Sequence, residues 1–111
     1  NIQRLFSSYS GFGIYAMNIT KELLSKALEL VGGQRQVDYG DKVKNHNNIA
    51  KLWSAYLDVK VDAHDVAIMM SLLKVARTKL GERTKDTYVD MAAYGAIAGE
   101  IQFKKGENNG N

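Results

Sequence analysis

The chain has no cysteine and no proline, only two histidines and one tryptophan, and almost no excess of charge of either sign. Zero cysteines exclude a disulfide scaffold, every cysteine-containing zinc site and a thiol nucleophile. The histidines, His46 and His64, have no His-x-x-x-His spacing and make no zinc site, so both are expected as surface or capping residues. There is no Gly-x-Ser-x-Gly, no P-loop and no Gly-x-Gly-x-x-Gly after a strand, which removes the common hydrolase, kinase-like and dinucleotide-binding signatures. No apolar run approaches the roughly 20 residues needed to span a bilayer. The most apolar stretch, Val66 to Leu73, is followed at once by Lys74 and Arg77. Fifteen Lys and Arg against twelve Asp and Glu leave +3. That excess fits phosphate-bearing partners and is too small to argue for nucleic acid. With no secretory segment in view, the cytoplasm is the expected compartment.

What is present is one small domain of 111 residues, 45% hydrophobic. A chain of this size buries only about 65% of its unfolded surface, so tight helix packing extended by oligomerisation is expected. Residues 1–16 hold Ser7-Ser8-Tyr9-Ser10-Gly11-Phe12-Gly13 without a sustained period and read as an irregular leader or arm. Residues 17–103 form the helical domain, and residues 104–111 (KKGENNGN) read as a flexible polar tail.

Four helices are expected. The first spans about Thr20 to Val31, with Leu23, Leu24, Ala27, Leu28 and Val31 at helical spacing and Gly32 as its stop. The second spans about Asn47 to Leu57, carrying Ile49, Leu52, Trp53 and Tyr56, with an Asn as cap and Trp53 as its core anchor. The third opens on Asp62 as N-cap with Asp65 three residues on, resembling a capping box, and runs to Leu80 before Gly81. The fourth covers about Thr84 to Gln102. Its Gly95 and Gly99, four residues apart, mark a close approach by another helix, which can belong to a second subunit. With no convincing strand pattern, the fold class is an all-α antiparallel bundle of about four helices, in a homo-oligomer.

Three polar clusters carry candidate chemistry. Asp62 and Asp65 share one helix face, and Asp86 and Asp90 share a face of the next. Two facing helices that each offer two carboxylates suit magnesium, which prefers oxygen ligands; helix capping explains the same residues equally well. Lys74 and Arg77 project together from the third helix and are candidates for phosphate binding, with solvated surface charge as the plainer reading. Arg35, Tyr39 within Asp38-Tyr39-Gly40-Asp41, and Asn47 within Asn45-His46-Asn47-Asn48 are candidates for contacts to a base, or for ordering a loop.

From Val37 to Ile101, the series Asp38-Tyr39-Gly40-Asp41, Asn48-Ile49-Ala50-x-x-Trp53, Asp65-Val66-Ala67-x-Met69-Met70-x-x-Leu73-Lys74-x-Ala76-Arg77 and Asp86-x-Tyr88-x-Asp90-x-x-x-Tyr94 resembles a group of small phage-encoded domains. More distantly it resembles the all-α nucleotide pyrophosphohydrolases of the MazG type, which carry an acidic pair on one helix and a second about a helix and turn later. Asp62 and Asp65 match the first pair as Asp in place of Glu, and Asp90 matches the final Asp. Three residues before Asp90 stands Thr87, and the nearest acid, Asp86, is four away. The resemblance implies a magnesium-dependent nucleoside triphosphate pyrophosphohydrolase in the cytoplasm of a bacterial host. The alternative is a non-catalytic phage accessory protein that sequesters a nucleotide or binds a host protein.

Overall fold

The computed structural model describes the backbone of residues 10–33 and 41–109 and the side chains of residues 18–33 and 41–104. Four helices follow one another: α1 (Ser10–Gly32), α2 (Lys42–Leu57), α3 (Ala63–Lys79) and α4 (Lys85–Asn109). No strand occurs among the described residues, in agreement with an all-α fold.

Local chemistry sets the helix ends. Asp62 is the N-cap of α3: its carboxylate accepts from Asp65 N at 2.8 Å, and the Asp65 carboxylate accepts from Asp62 N at 3.1 Å. This is a complete capping box. Past the end of α3, Gly81 sits at φ +96°, where a side chain would be strained. Thr84 Oγ1 then accepts from Thr87 N at 3.3 Å and closes the first turn of α4. Helix α2 starts five residues before the expected Asn47. Asp41 is its cap, accepting from Val43 N at 2.8 Å and Lys44 N at 3.3 Å. The polar run Lys42 to Asn45 hid that extension, because its turn carries little apolar period. Helix α1 likewise begins at Ser10, inside the stretch expected to be irregular, and α4 continues past residue 103 to Asn109.

The Asp41 amide contacts, led by the one from Lys44, hold its carboxyl below the usual aspartate range. A depressed folded-state pKa stabilises the fold above the unfolded value and loses that stabilisation as pH falls through the folded value. Stability is therefore expected to drop as the solution is acidified below about pH 4. In Asp41→Asn, chemical denaturation between pH 5 and pH 2.5 should show a shallower fall.

Helices α3 and α4 form an antiparallel hairpin. Ala63 and Ala67 pack on Ile97, Ala98 and Ile101, while at the other end Ser71 Oγ donates to Met91 O at 3.5 Å and Lys74 meets Asp90. Helix α1 runs in the same direction as α4: Glu22 pairs with Lys85 at 2.9 Å, and Ala27 packs on Val89 and Ala93. The antiparallel expectation thus holds for α3 and α4 and fails for α1 and α4. The first turns of α2 reach the middle of α4, where Lys42 pairs with Glu100 at 3.3 Å and the His46 ring lies 6.2 Å from that of Tyr94.

The core is built from small residues: Ala27, Ala50, Ala63, Ala67, Ala93 and Ala98 are buried, with Val66, Val89, Ile97 and Ile101. Trp53 is only half-buried and is not its anchor. Large apolar side chains point outward instead, among them Leu28, Ile68, Met69, Leu72 and Leu73. Among the described residues, no other helix comes within 4 Å of where a Cβ would stand on Gly95 or Gly99, so the close approach expected there is not made by them. Among the described residues, no helix is long and apolar enough to cross a membrane.

Candidate functional site

A cavity of about 760 Å³ opens between the helices. Helix α1 contributes Lys26, Leu30 and Val31, α2 contributes Lys42, Asn45, His46 and Ile49, and α3 contributes Lys74. The long wall is α4, with Asp86, Val89, Asp90, Ala93, Tyr94 and Ile97. These α4 residues recur at three and four, so one face of the helix supplies both the apolar floor and the two carboxylates.

Each ammonium lining the cavity has a carboxylate beside it. Lys26 pairs with Glu22 at 3.1 Å, Lys42 with Glu100 at 3.3 Å and Lys74 with Asp90 at 3.0 Å. The Lys74–Asp90 pair is the most sheltered, its side chains 14% and 30% exposed. A charge pair withdrawn this far from water adds little net stability, because desolvation offsets most of the Coulomb attraction. At the outer edge, Glu22 carries a lowered pKa, through its contact with Lys85 first and Lys26 second.

His46 is buried, 7% exposed, and was not expected there. Its Nδ1 lies 2.7 Å from Lys42 O, while Nε2 is buried with no hydrogen-bond partner among the described residues. The signal for it was positional. His46 falls three and four residues before Ile49 and Ala50 and seven before Trp53, on the inward stripe of α2, so a polar residue occupies a core position.

The candidate residues separate into distinct places. Asp86, Asp90 and Lys74 meet at the cavity. Asp62 and Asp65 do not: they cap the opposite end of α3, Asp65 nine and Asp62 twelve residues before Lys74, or about 13 to 18 Å along the axis at 1.5 Å per residue. With His64 they form the one group of three potential metal ligands within 4.8 Å of each other among the described residues, but each carboxylate there already accepts a backbone N–H. Arg77 diverges from Lys74 onto the surface, 3.9 Å from Glu82. Asn47 is exposed on α2 and does not line the cavity. Arg35 and Tyr39 lie outside the described residues.

The capping role makes a clear prediction. Asp62→Ala should cost about 1 kcal/mol, a fall of roughly 4 to 8 °C in Tm for a domain of this size, whereas Asp62→Asn, an equally good cap, should stay near wild type. Thermal melts of the two variants measure the difference. Equal losses in both would show that charge, not capping, is what the position supplies.

Fold and cavity together define an all-helical domain whose polar groups converge on a recess between its helices. The chain belongs to the DUF6378 family, described as a domain of unknown function, whose model matches residues 22–102. It is 43% identical over 86 residues to the Gene 55 protein of Mycobacterium phage L5, covering 77% of this chain and 55% of that one. It is 35% identical over 83 residues to the Gene 55 protein of Mycobacterium phage D29, covering 75% and 55%. The chain therefore spans just over half the length of these curated phage relatives. No solved structure matches it.

Proposed function

We propose that this domain binds a phosphate-bearing small molecule, most simply a nucleotide, in the cavity between its helices. The observation that carries the reading is the sheltered Lys74–Asp90 pair on the wall of a recess of about 760 Å³, within the usual size range of ligand pockets. Lys26 and Lys42 supply two further ammoniums, and Leu30, Val31, Ile49 and Ala93 offer an apolar floor for a base. An incoming phosphate would exchange a carboxylate neighbour for its own oxygens without leaving any lysine unpaired.

Hydrolysis to pyrophosphate, which the MazG resemblance implies, would need magnesium. A four-aspartate centre does not fit, since Asp62 and Asp65 are committed to the capping box away from the cavity. Asp86 and Asp90 remain, and one or two carboxylates are enough for an ion that takes its other ligands from substrate phosphates and water. Bound there, magnesium would supply charge neutralisation and polarisation of the phosphates. Only half of the carboxylates that the resemblance assigns to the ion are thus at the cavity, so retention of a nucleotide without turnover is the leading reading. Incubation with a nucleotide panel, with and without magnesium, followed by mass analysis of free and bound ligand, separates the two. Bound, unchanged nucleotide supports the leading reading, magnesium-dependent pyrophosphate release supports the second, and an empty protein under all conditions defeats both.

The same reading includes self-association. The partner is a second copy of this chain, meeting it across the outer face of α3. Support comes from the apolar side chains exposed on that face, Ile68, Met69, Leu72, Leu73 and Val75.

A further inference from the structure

We propose that His46 Nε2 is the hydrogen-bond acceptor that reads a ring or exocyclic N–H of a nucleobase held in the cavity. The inference rests on the nucleotide reading above and adds to it which end of the ligand the protein recognises, and through which atom.

The argument starts from the Lys42 carbonyl. A carbonyl oxygen can only accept, so the 2.7 Å contact with His46 Nδ1 requires the proton on Nδ1. In the neutral ring that leaves Nε2 as a bare acceptor, its lone pair in the ring plane. The contact also fixes the ring, because Lys42 is one helical turn earlier and its carbonyl belongs to the backbone of α2. Nε2 is thus an oriented acceptor rather than a mobile one.

Its surroundings decide what it can accept from. Nε2 is buried and meets no donor among the described residues, and a buried acceptor without a donor costs roughly 1 to 3 kcal/mol. His46 lines the cavity together with Tyr94, whose ring stands at 59° to the imidazole. Ile49 and Ile97 line the same recess. A phosphate has only acceptor oxygens when ionised and would repel the lone pair. A planar heterocycle with an N–H in its plane satisfies both the acceptor and the apolar and aromatic surfaces beside it. The cations and the acceptor therefore divide the ligand between them: Lys26, Lys42 and Lys74 for the phosphates, His46 for the base.

The test uses the full chain and five probes: inorganic tripolyphosphate and the four ribonucleoside triphosphates, titrated calorimetrically at pH 7.5. At least one nucleotide is expected to bind more than tenfold tighter than tripolyphosphate, and in His46→Phe the ratio should collapse to within about twofold. A nucleotide advantage that survives His46→Phe in a protein with wild-type circular dichroism would overturn the proposal and leave the cavity reading standing, as would a wild type that binds all five probes alike. Failure of every probe to bind would remove the cavity reading itself. Nitrogen-15 spectra of the wild type give a readout that needs no variant. Nε2 should show an unprotonated resonance in the free protein that moves upfield on adding the preferred nucleotide. An Nε2 that is already protonated or hydrogen-bonded before the nucleotide is added would also overturn the assignment.

Discussion

Lys74→Met is expected to destabilise the protein by about 1 to 3 kcal/mol and to weaken triphosphate binding at least tenfold, while Lys74→Met combined with Asp90→Leu should recover most of the stability and none of the binding. The single change leaves the Asp90 carboxylate without its ammonium in a site where its side chain is 30% exposed, so the penalty lies below that of a fully buried charge and above that of a surface one. Removing both partners removes both desolvation costs, and two apolar side chains can pack against each other in their place. Binding cannot recover, because the sheltered cation is gone. Asp90→Asn should split the effects the other way: it keeps Lys74 for phosphate and removes a candidate magnesium ligand, so triphosphate affinity persists and any magnesium dependence falls. Arg77→Ala, on the surface, should change stability by less than roughly 0.5 kcal/mol and leave affinity near wild type. Urea denaturation and calorimetric titration of the set measure both quantities. Full triphosphate affinity in Lys74→Met would sink the cavity as a phosphate site.

Ile68→Lys combined with Leu72→Glu is expected to convert an oligomer into a monomer. The inward side of α3 is occupied by Ala63, Val66 and Ala67, yet its outward side carries Ile68, Met69, Leu72, Leu73 and Val75, each at least 40% exposed. A helix apolar on both sides is normally covered on both. The alanine-rich core releases little free energy per residue on burial, since about 25 cal/mol is gained for each Å² of apolar surface and alanine has little to give. Covering α3 with a second copy adds the leucine and isoleucine area that the monomer leaves in water. Sedimentation at micromolar concentration should give a dimer or larger species for the wild type and a 12.3 kDa monomer for the double variant. A monomeric wild type would refute the interface.

How much of this was readable beforehand depended on whether the signal was local. Asp62 and Asp65 could be read as a capping box because the motif is four residues long and its bonds are internal to it. Asp86 and Asp90 could be placed on one face because spacing alone fixes that. Whether the two acidic pairs would meet was not a local question. It turned on the direction in which α3 and α4 pack, which puts the pairs at opposite ends of the hairpin. The start of α2 was missed because Asp41 caps a turn, Lys42 to Asn45, that carries almost no apolar period. His46 was missed because the inward stripe was traced through hydrophobic residues, and a buried imidazole that bonds its own helix backbone has no short-range signature. The alanine core was not legible, because the stripes were traced through the large residues; that Ala27 and Ala50 are buried while Leu24, Leu28 and Leu52 face outward appears only once the helices are placed together.

Ser54 Oγ donates to Val61 O at 3.0 Å and accepts from Val61 N at 2.8 Å, fastening the link between α2 and α3 across seven residues. The tie of helix α1 to α4 at Glu22 and Lys85 is of another kind: it is exposed and therefore weakened by salt, and the packing beside it centres on Ala27, Val89 and Ala93. The two sides of the cavity consequently differ in how they exchange amide protons. The α3–α4 hairpin should retain its protons longest, and α1 should lose its own through local opening at a rate that rises with ionic strength. Entry to the recess would then be gated by α1, and raising salt would speed ligand release even where it leaves the global unfolding free energy unchanged.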